Sequence, residues 1–193
     1  MHKGRLEALS DGVIAIIITI MVLEMKVPHT DNLHDLKELW PVFLSYILSF
    51  IYVGIYWNNH HHMMQAARTV NGAVLWANLH LLFWLSLVPF ASGWLGENHF
   101  TAWPMALYGF VLMMNAIAYS ILVITLLRLH GKDSLLGRAI GKDWKGRLSV
   151  IIYAVAIVLT CVAPWLSLGL YVAVAGIWLV PDRRIESKIT EQD

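Results

Sequence analysis

The sequence predicts an all-α, polytopic membrane protein with six transmembrane helices. Three observations predict it. Of the 193 residues, 58% are apolar and only 14% are charged; the apolar residues gather into runs of membrane-crossing length; and the basic residues sort to one side of those runs. Soluble domains carry roughly 25% charged residues, and a soluble chain this short has too much surface for its volume to hide so many apolar groups. Lipid is therefore the solvent over much of the chain. A net charge of +1, without a basic domain or groove, argues against nucleic acid as a partner. The single cysteine, Cys161, permits no internal disulfide and reads as a small buried hydrophobe.

A helix needs about 20 mostly apolar residues to cross the hydrocarbon layer. The first span covers residues 6–27 around the uncharged run Gly12 to Leu23. It ends in Leu23, Glu24, Met25, Lys26, with no small-residue cleavage site, so no cleaved signal peptide is expected. The second span covers 39–62. The third, 70–95, contains Pro89, which predicts a kink. The fourth covers 100–127. The run Leu148 to Val180 would reach about 50 Å as one helix, too long for a single crossing. Ala163, Pro164 and Trp165, followed by Ser167 and Gly169, predict a turn and two short spans, 148–163 and 165–180.

Charge placement supports six crossings of one unit spanning 1–193. Twelve of the fourteen basic residues fall on one side: Lys3, Arg5, Arg68, six between Arg128 and Arg147, and Arg183, Arg184 and Lys188. The opposite loops hold only Lys26 and Lys37, offset by Glu24, Asp31, Asp35, Glu38 and Glu97. The positive-inside rule then puts the protein in the cell membrane with both termini cytoplasmic. Seven tryptophans, Trp57 and Trp165 among them, sit near span ends as interfacial anchors. The segment from His130 to Lys145, with four glycines counting Gly146, reads as a solvated connector.

Polar residues at membrane depth are costly and mark functional sites. Ser10 and Asp11 open the first apolar run, where they either cap a helix or join a polar cluster with groups on neighbouring helices. Trp57, Asn58, Asn59, His60, His61 and His62 close the second span at the same depth, and Asn71, Asn78 and His80 lie at the start of the third. Consecutive helical residues diverge by about 100°, so the three histidines cannot share one metal ion, and no metal or other cofactor is expected. No nucleophile, metalloprotease or nucleotide-binding motif is present, so no catalytic residue is assigned.

The run Arg5-Leu6-Glu7-Ala8-Leu9-Ser10-Asp11, followed by the isoleucine-rich Gly12 to Glu24, resembles the signature helix of the TMEM175 family of potassium channels. There the pattern is Arg, three residues, Phe, Ser, Asp; Leu9 stands here for the Phe. The resemblance continues through Tyr56 to His61 and Asn78 to Phe90. It implies a potassium-permeable channel without a pore-loop filter, a homotetramer of six-helix units in the lipid bilayer, and a pore lined by the first helix of each subunit. Carried over by motif, Ile16, Ile20 and Leu23 form the constriction and act as a hydrophobic gate, with Thr19 beside them. By spacing alone that stripe reads as an ordinary packing surface, such as any apolar helix carries, and only the resemblance makes it a constriction; Thr19 bonds either a permeating ion or its own helix. Arg5, Ser10, Asp11, Trp57, His60, His61, Asn78 and His80 would form the polar network that braces the helix. A proton-coupled transporter using Asp11 and His80 is the competing reading, and a metal handler at His60 to His62 the third.

Overall fold

The computed structural model describes residues 3–28, 32–131, 134, 136–137 and 144–179, and all regular structure among them is helical. The elements are α1 (Gly4–Leu23), α2 (Leu33–Glu38), α3 (Trp40–Ala66), α4 (Gly72–Ser86), α5 (Val88–Glu97), α6 (Ala102–His130), α7 (Trp144–Leu159) and α8 (Pro164–Leu179). Four stretches are long and apolar enough to cross a bilayer: Gly4–Leu23, Trp40–Ala66, Gly72–Glu97 and Ala102–His130. α7 and α8 have 16 residues each, a reach of about 24 Å against a hydrocarbon core of roughly 30 Å.

Local chemistry sets the boundaries. Asn32 and Asn71 each accept a backbone N–H bond at 3.0 Å, from His34 and Val74, as caps of α2 and α4. Pro89 has no N–H to offer the carbonyl of Leu85, so the third apolar run breaks into α4 and α5. Asn115 of α6 covers the break, donating Nδ2 to Trp84 O at 3.4 Å and to Val111 O at 2.9 Å. Gly131, at φ 84°, ends α6 in a conformation that L side chains resist. The run from Leu148 onward breaks at residues 160–163, and Pro164 opens α8 where a missing N–H is harmless. Ser167 ties the two helices by donating to Ala156 O at 2.8 Å. Cys161 lies in that turn and is exposed, not the buried hydrophobe its apolar neighbours suggest, because the helix has already ended.

α6 packs between α4 and α5 on one side and α7 on the other; α3 lies against α5; and α1 rests on α3, α4 and α5. Helices in lipid gain little from burying apolar surface against each other, so close packing and interhelical hydrogen bonds hold them. Both are present. Ser49 Oγ of α3 donates to Ser92 Oγ of α5 at 2.8 Å and lies 3.0 Å from the Tyr108 hydroxyl of α6. Tyr153 of α7 donates to the Tyr52 hydroxyl at 3.2 Å, and Tyr52 in turn donates to Tyr171 O of α8.

The α3–α5 contact is closest at Gly96, where a Cβ would sit 2.6 Å from the Val42 Cα. Backbone cannot retreat as a flexible side chain can. Gly96→Ala is therefore expected to destabilise the protein by about 1–3 kcal/mol, the usual cost of overpacking. Thermal melting in detergent reads this as a lowered midpoint; an unchanged midpoint would contradict the packing described.

Candidate permeation helix and its polar anchor

α1 has two faces. Leu6, Ser10, Ile14, Ile17 and Met21 are buried. Their spacing of three and four residues gathers them on one side, against the rest of the subunit. Ile16, Ile20 and Leu23 are 57%, 40% and 79% exposed and fall within about 60° of one another on the helix. With Val13, Glu24, Phe90 and Trp94, the first two line a groove between α1 and α5. A stripe of large apolar groups is thus left uncovered by the rest of the chain. Thr19 is exposed on its flank, and its hydroxyl donates to Ile16 O at 2.9 Å and Ala15 O at 3.2 Å. The proton is committed to the helix, and the oxygen remains available only as an acceptor.

The end of the bundle that carries Lys3, Arg5 and Asp11, the basic end, anchors α1 through a buried chain of hydrogen bonds. Ser10, Asn78 and His60 are at most 2% exposed. Asn78 Oδ1 lies 2.8 Å from His60 Nε2, Asn78 Nδ2 donates to Ser10 Oγ at 2.9 Å, and Ser10 Oγ donates to Leu6 O at 2.8 Å. Leu6 O can only accept, so every proton in the chain is placed and Nε2 must be the protonated nitrogen of His60. Beside it, Trp57 Nε1 donates to Asp11 Oδ1 at 3.0 Å, and the Trp57 ring stacks on His61. α1 is thereby fixed to α3 and α4 by groups that each element supplies at matching depth.

The remaining residues of the expected network lie elsewhere. Arg5 is exposed and makes no ion pair or hydrogen bond among the described residues. It stands eleven residues before Ile16, about three turns, so it projects on the exposed face. His80 pairs with Trp84 one turn along α4, accepting from Nε1 at 3.0 Å, and does not meet Asp11. The three consecutive histidines diverge: His60 to Asn78, His61 to Trp57 and Gln65, His62 edge-on to His61. Two features escaped sequence reading. One is Lys3, whose Nζ donates to Met64 O at 2.6 Å. The other is the α3 stripe Ser45, Ser49 and Tyr52, legible in principle from its four- and three-residue spacing.

At the opposite, acidic end, Lys26 Nζ bonds Glu97 Oε1 at 2.8 Å, and that hydrogen bond and charge raise the lysine pKa. Lys26 is thus committed to α5, while Glu24, next to Leu23, is exposed and its carboxylate lies against Gly93.

Residues 5–89, the segment holding the exposed stripe and the buried anchor, match the family model described as endosomal/lysosomal potassium channel TMEM175. A potassium channel of Chryseobacterium sp. (strain P1-3) is 54% identical over 191 residues, covering 99% of this chain and all of the relative. The chain belongs to the TMEM175 family. A second relative, a potassium channel of Chamaesiphon minutus, is 33% identical over 185 residues, 87% of this chain and 89% of the relative. The fold is similar to the crystal structure of a lysosomal potassium-selective channel TMEM175 homologue from Chamaesiphon minutus. That match has a TM-score of 0.79 at 29% identity and covers 93% of this chain and 97% of the other.

Proposed function

We propose that the protein is a potassium-permeable cation channel of the cell membrane, built from four copies around a pore that the four α1 helices line. Ile16, Ile20 and Leu23 constrict that pore, the chain crosses the membrane six times, and the basic end with both termini faces the cytoplasm. The observation that carries this reading is the exposed apolar stripe on α1. A single subunit leaves it uncovered, whereas the opposite face of α1 is anchored by the buried Ser10–Asn78–His60 chain. Membership in a family whose full-length relatives are named potassium channels supports the ion.

In this account the constriction works by wetting. Four copies of a branched side chain make a narrow ring in which water is unstable, and an ion must shed part of its hydration to pass. The anchor at Ser10 and Asp11 holds the stripe at a fixed rotation and depth. Thr19 offers its acceptor oxygen beside the ring.

Glu24, with Lys26 bound elsewhere, concentrates cations at the outer mouth. Glu24→Gln is expected to lower single-channel conductance severalfold at low salt and little at high salt, because the Debye length shrinks from about 30 Å at 0.01 M to about 3 Å at 1 M. Equal conductance ratios at both salt levels would remove Glu24 from the mouth. The channel reading itself is tested by recording from purified protein in lipid under opposed potassium and sodium gradients. Current that rises without saturation as voltage rises, reversing toward the potassium potential, is expected. A plateau at a turnover limit would make the protein a carrier.

A further inference from the structure

The end of α3 is held from two sides. Lys3, which precedes α1, donates Nζ to Met64 O at 2.6 Å and to Gln65 O at 3.3 Å, carbonyls of the last turn of the helix, where no i+4 N–H follows in the helix. A few residues on, in the link to α4, the backbone N–H groups of Arg68 and Thr69 both point at one atom. That atom is Nε2 of His130, in the last turn of α6, at 3.2 and 3.3 Å. The other ring nitrogen, Nδ1, lies 3.0 Å from Leu126 O. A carbonyl oxygen only accepts, so Nδ1 carries the proton and Nε2 presents a lone pair to two donors. His130 is half-buried where it does this.

Only the neutral ring fits that arrangement. A second proton, on Nε2, would set an N–H against two N–H groups and turn the contact with the link from attraction to repulsion. The Nδ1 bond would survive and keep the ring on α6. The described ionisable side chains towards this end of the packed elements are Arg68 on the link, Arg128 on α6, His60, His61 and His62 on α3, Lys3, Arg5, Glu7 and Asp11 on α1, and Lys145 and Arg147 on α7. Of the two carboxylates, Glu7 lies 3.6 Å from Lys3 and Asp11 accepts from Trp57. Neither carboxylate is ion-paired with His130 among the described residues.

We infer that His130 is a proton-sensitive latch: neutral, it clamps the α3–α4 link to α6, and protonated, it releases the end of α3 to which α1 is tied through Lys3. α3 and α4 also carry the partners of Asp11 and Ser10, so the released segment leads directly to the helix that bears the exposed stripe. The effect on current rests on the channel reading above; the latch does not.

The test uses the full chain in lipid nanodiscs. Hydrogen exchange of the peptide spanning 66–71, corrected for the intrinsic pH dependence of exchange, is followed over a series of falling pH. The wild type is expected to lose protection by about tenfold, as a locally opened segment does. His130→Gln, whose amide oxygen accepts but does not titrate, is expected to stay flat, and His61→Gln to behave as the wild type. Wild-type protection that does not change with pH overturns the latch without need of any variant, as does a His130→Gln protein that follows the wild type. In recordings, acidifying the basic-end side should change the wild-type current, and His130→Gln should abolish that response. Lys3→Gln should lose the current response while keeping the exchange response. A current indifferent to pH alongside a pH-dependent exchange would overturn the coupling to α1. A chain that carries no current at all would overturn the channel reading and leave the latch to be decided by exchange.

Discussion

Replacing Ile16 with Asn is expected to raise resting conductance by about tenfold or more and to reduce discrimination between potassium and sodium. A tenfold rise needs the barrier to fall by only about 1.4 kcal/mol. Four amides in place of four branched apolar groups supply hydrogen-bonding partners to water inside the ring and so remove the dewetting penalty. Ile16 is 57% exposed in the single subunit, so the exchange costs little in packing and the protein should assemble normally. Planar-bilayer recordings of the purified variant check this. An Ile16→Asn protein that folds, conducts and selects like its parent would place the constriction elsewhere.

The second large effect is expected at Asn78. Its amide is the middle of a buried chain, taking a proton from His60 at 2.8 Å and giving one to Ser10 at 2.9 Å. Asn78→Leu keeps the branching and the number of side-chain heavy atoms and strands both neighbours, leaving a buried imidazole N–H without an acceptor and Ser10 without a donor. Each of the two stranded groups costs about 1–3 kcal/mol, so a total of roughly 2–6 kcal/mol is expected. The loss should appear as a large fall in melting temperature and in the folded-protein peak on size exclusion. Asp11→Asn is the informative comparison. Asp11 is exposed and accepts one hydrogen bond, from Trp57, and an amide oxygen can still accept it, so the loss should stay below about 1 kcal/mol. A reversed order, with Asp11→Asn the more damaging, would mean that the carboxylate and not the buried chain anchors α1.

How far the sequence carried these assignments depends on what each residue needs for a partner. Helix positions followed from apolar runs and their punctuation: Pro164 marks where the last run turns, and Pro89 marks the break between α4 and α5. Ser10, His60 and Asn78 were legible as one group because polar side chains at one membrane depth must satisfy one another. Arg5 and His80 were not placed correctly by that logic. Arg5 faces away from α3 and α4, and His80 finds an indole N–H within its own helix, a local partner that spacing alone does not rank above a distant carboxylate. Lys3 and His130 were hidden for a different reason. Both bond to backbone groups at the end of α3 and in the link that follows. Those groups are open to a side chain only because the helix stops at Ala66.

The central claim is that the exposed stripe of α1 faces a common axis through which potassium passes. It is tested most directly by a single cysteine at Ile20, with Cys161 changed to Ser because that thiol is exposed. The matched control carries the cysteine at Ile18, about 200° around the helix from Ile20. In recordings, a small hydrophilic thiol reagent should block the potassium current through the Ile20→Cys protein and leave the Ile18→Cys current unchanged. Mild oxidation should crosslink subunits only through position 20. Equal reaction at both positions, or block and crosslinking confined to position 18, would contradict an axis lined by Ile16, Ile20 and Leu23.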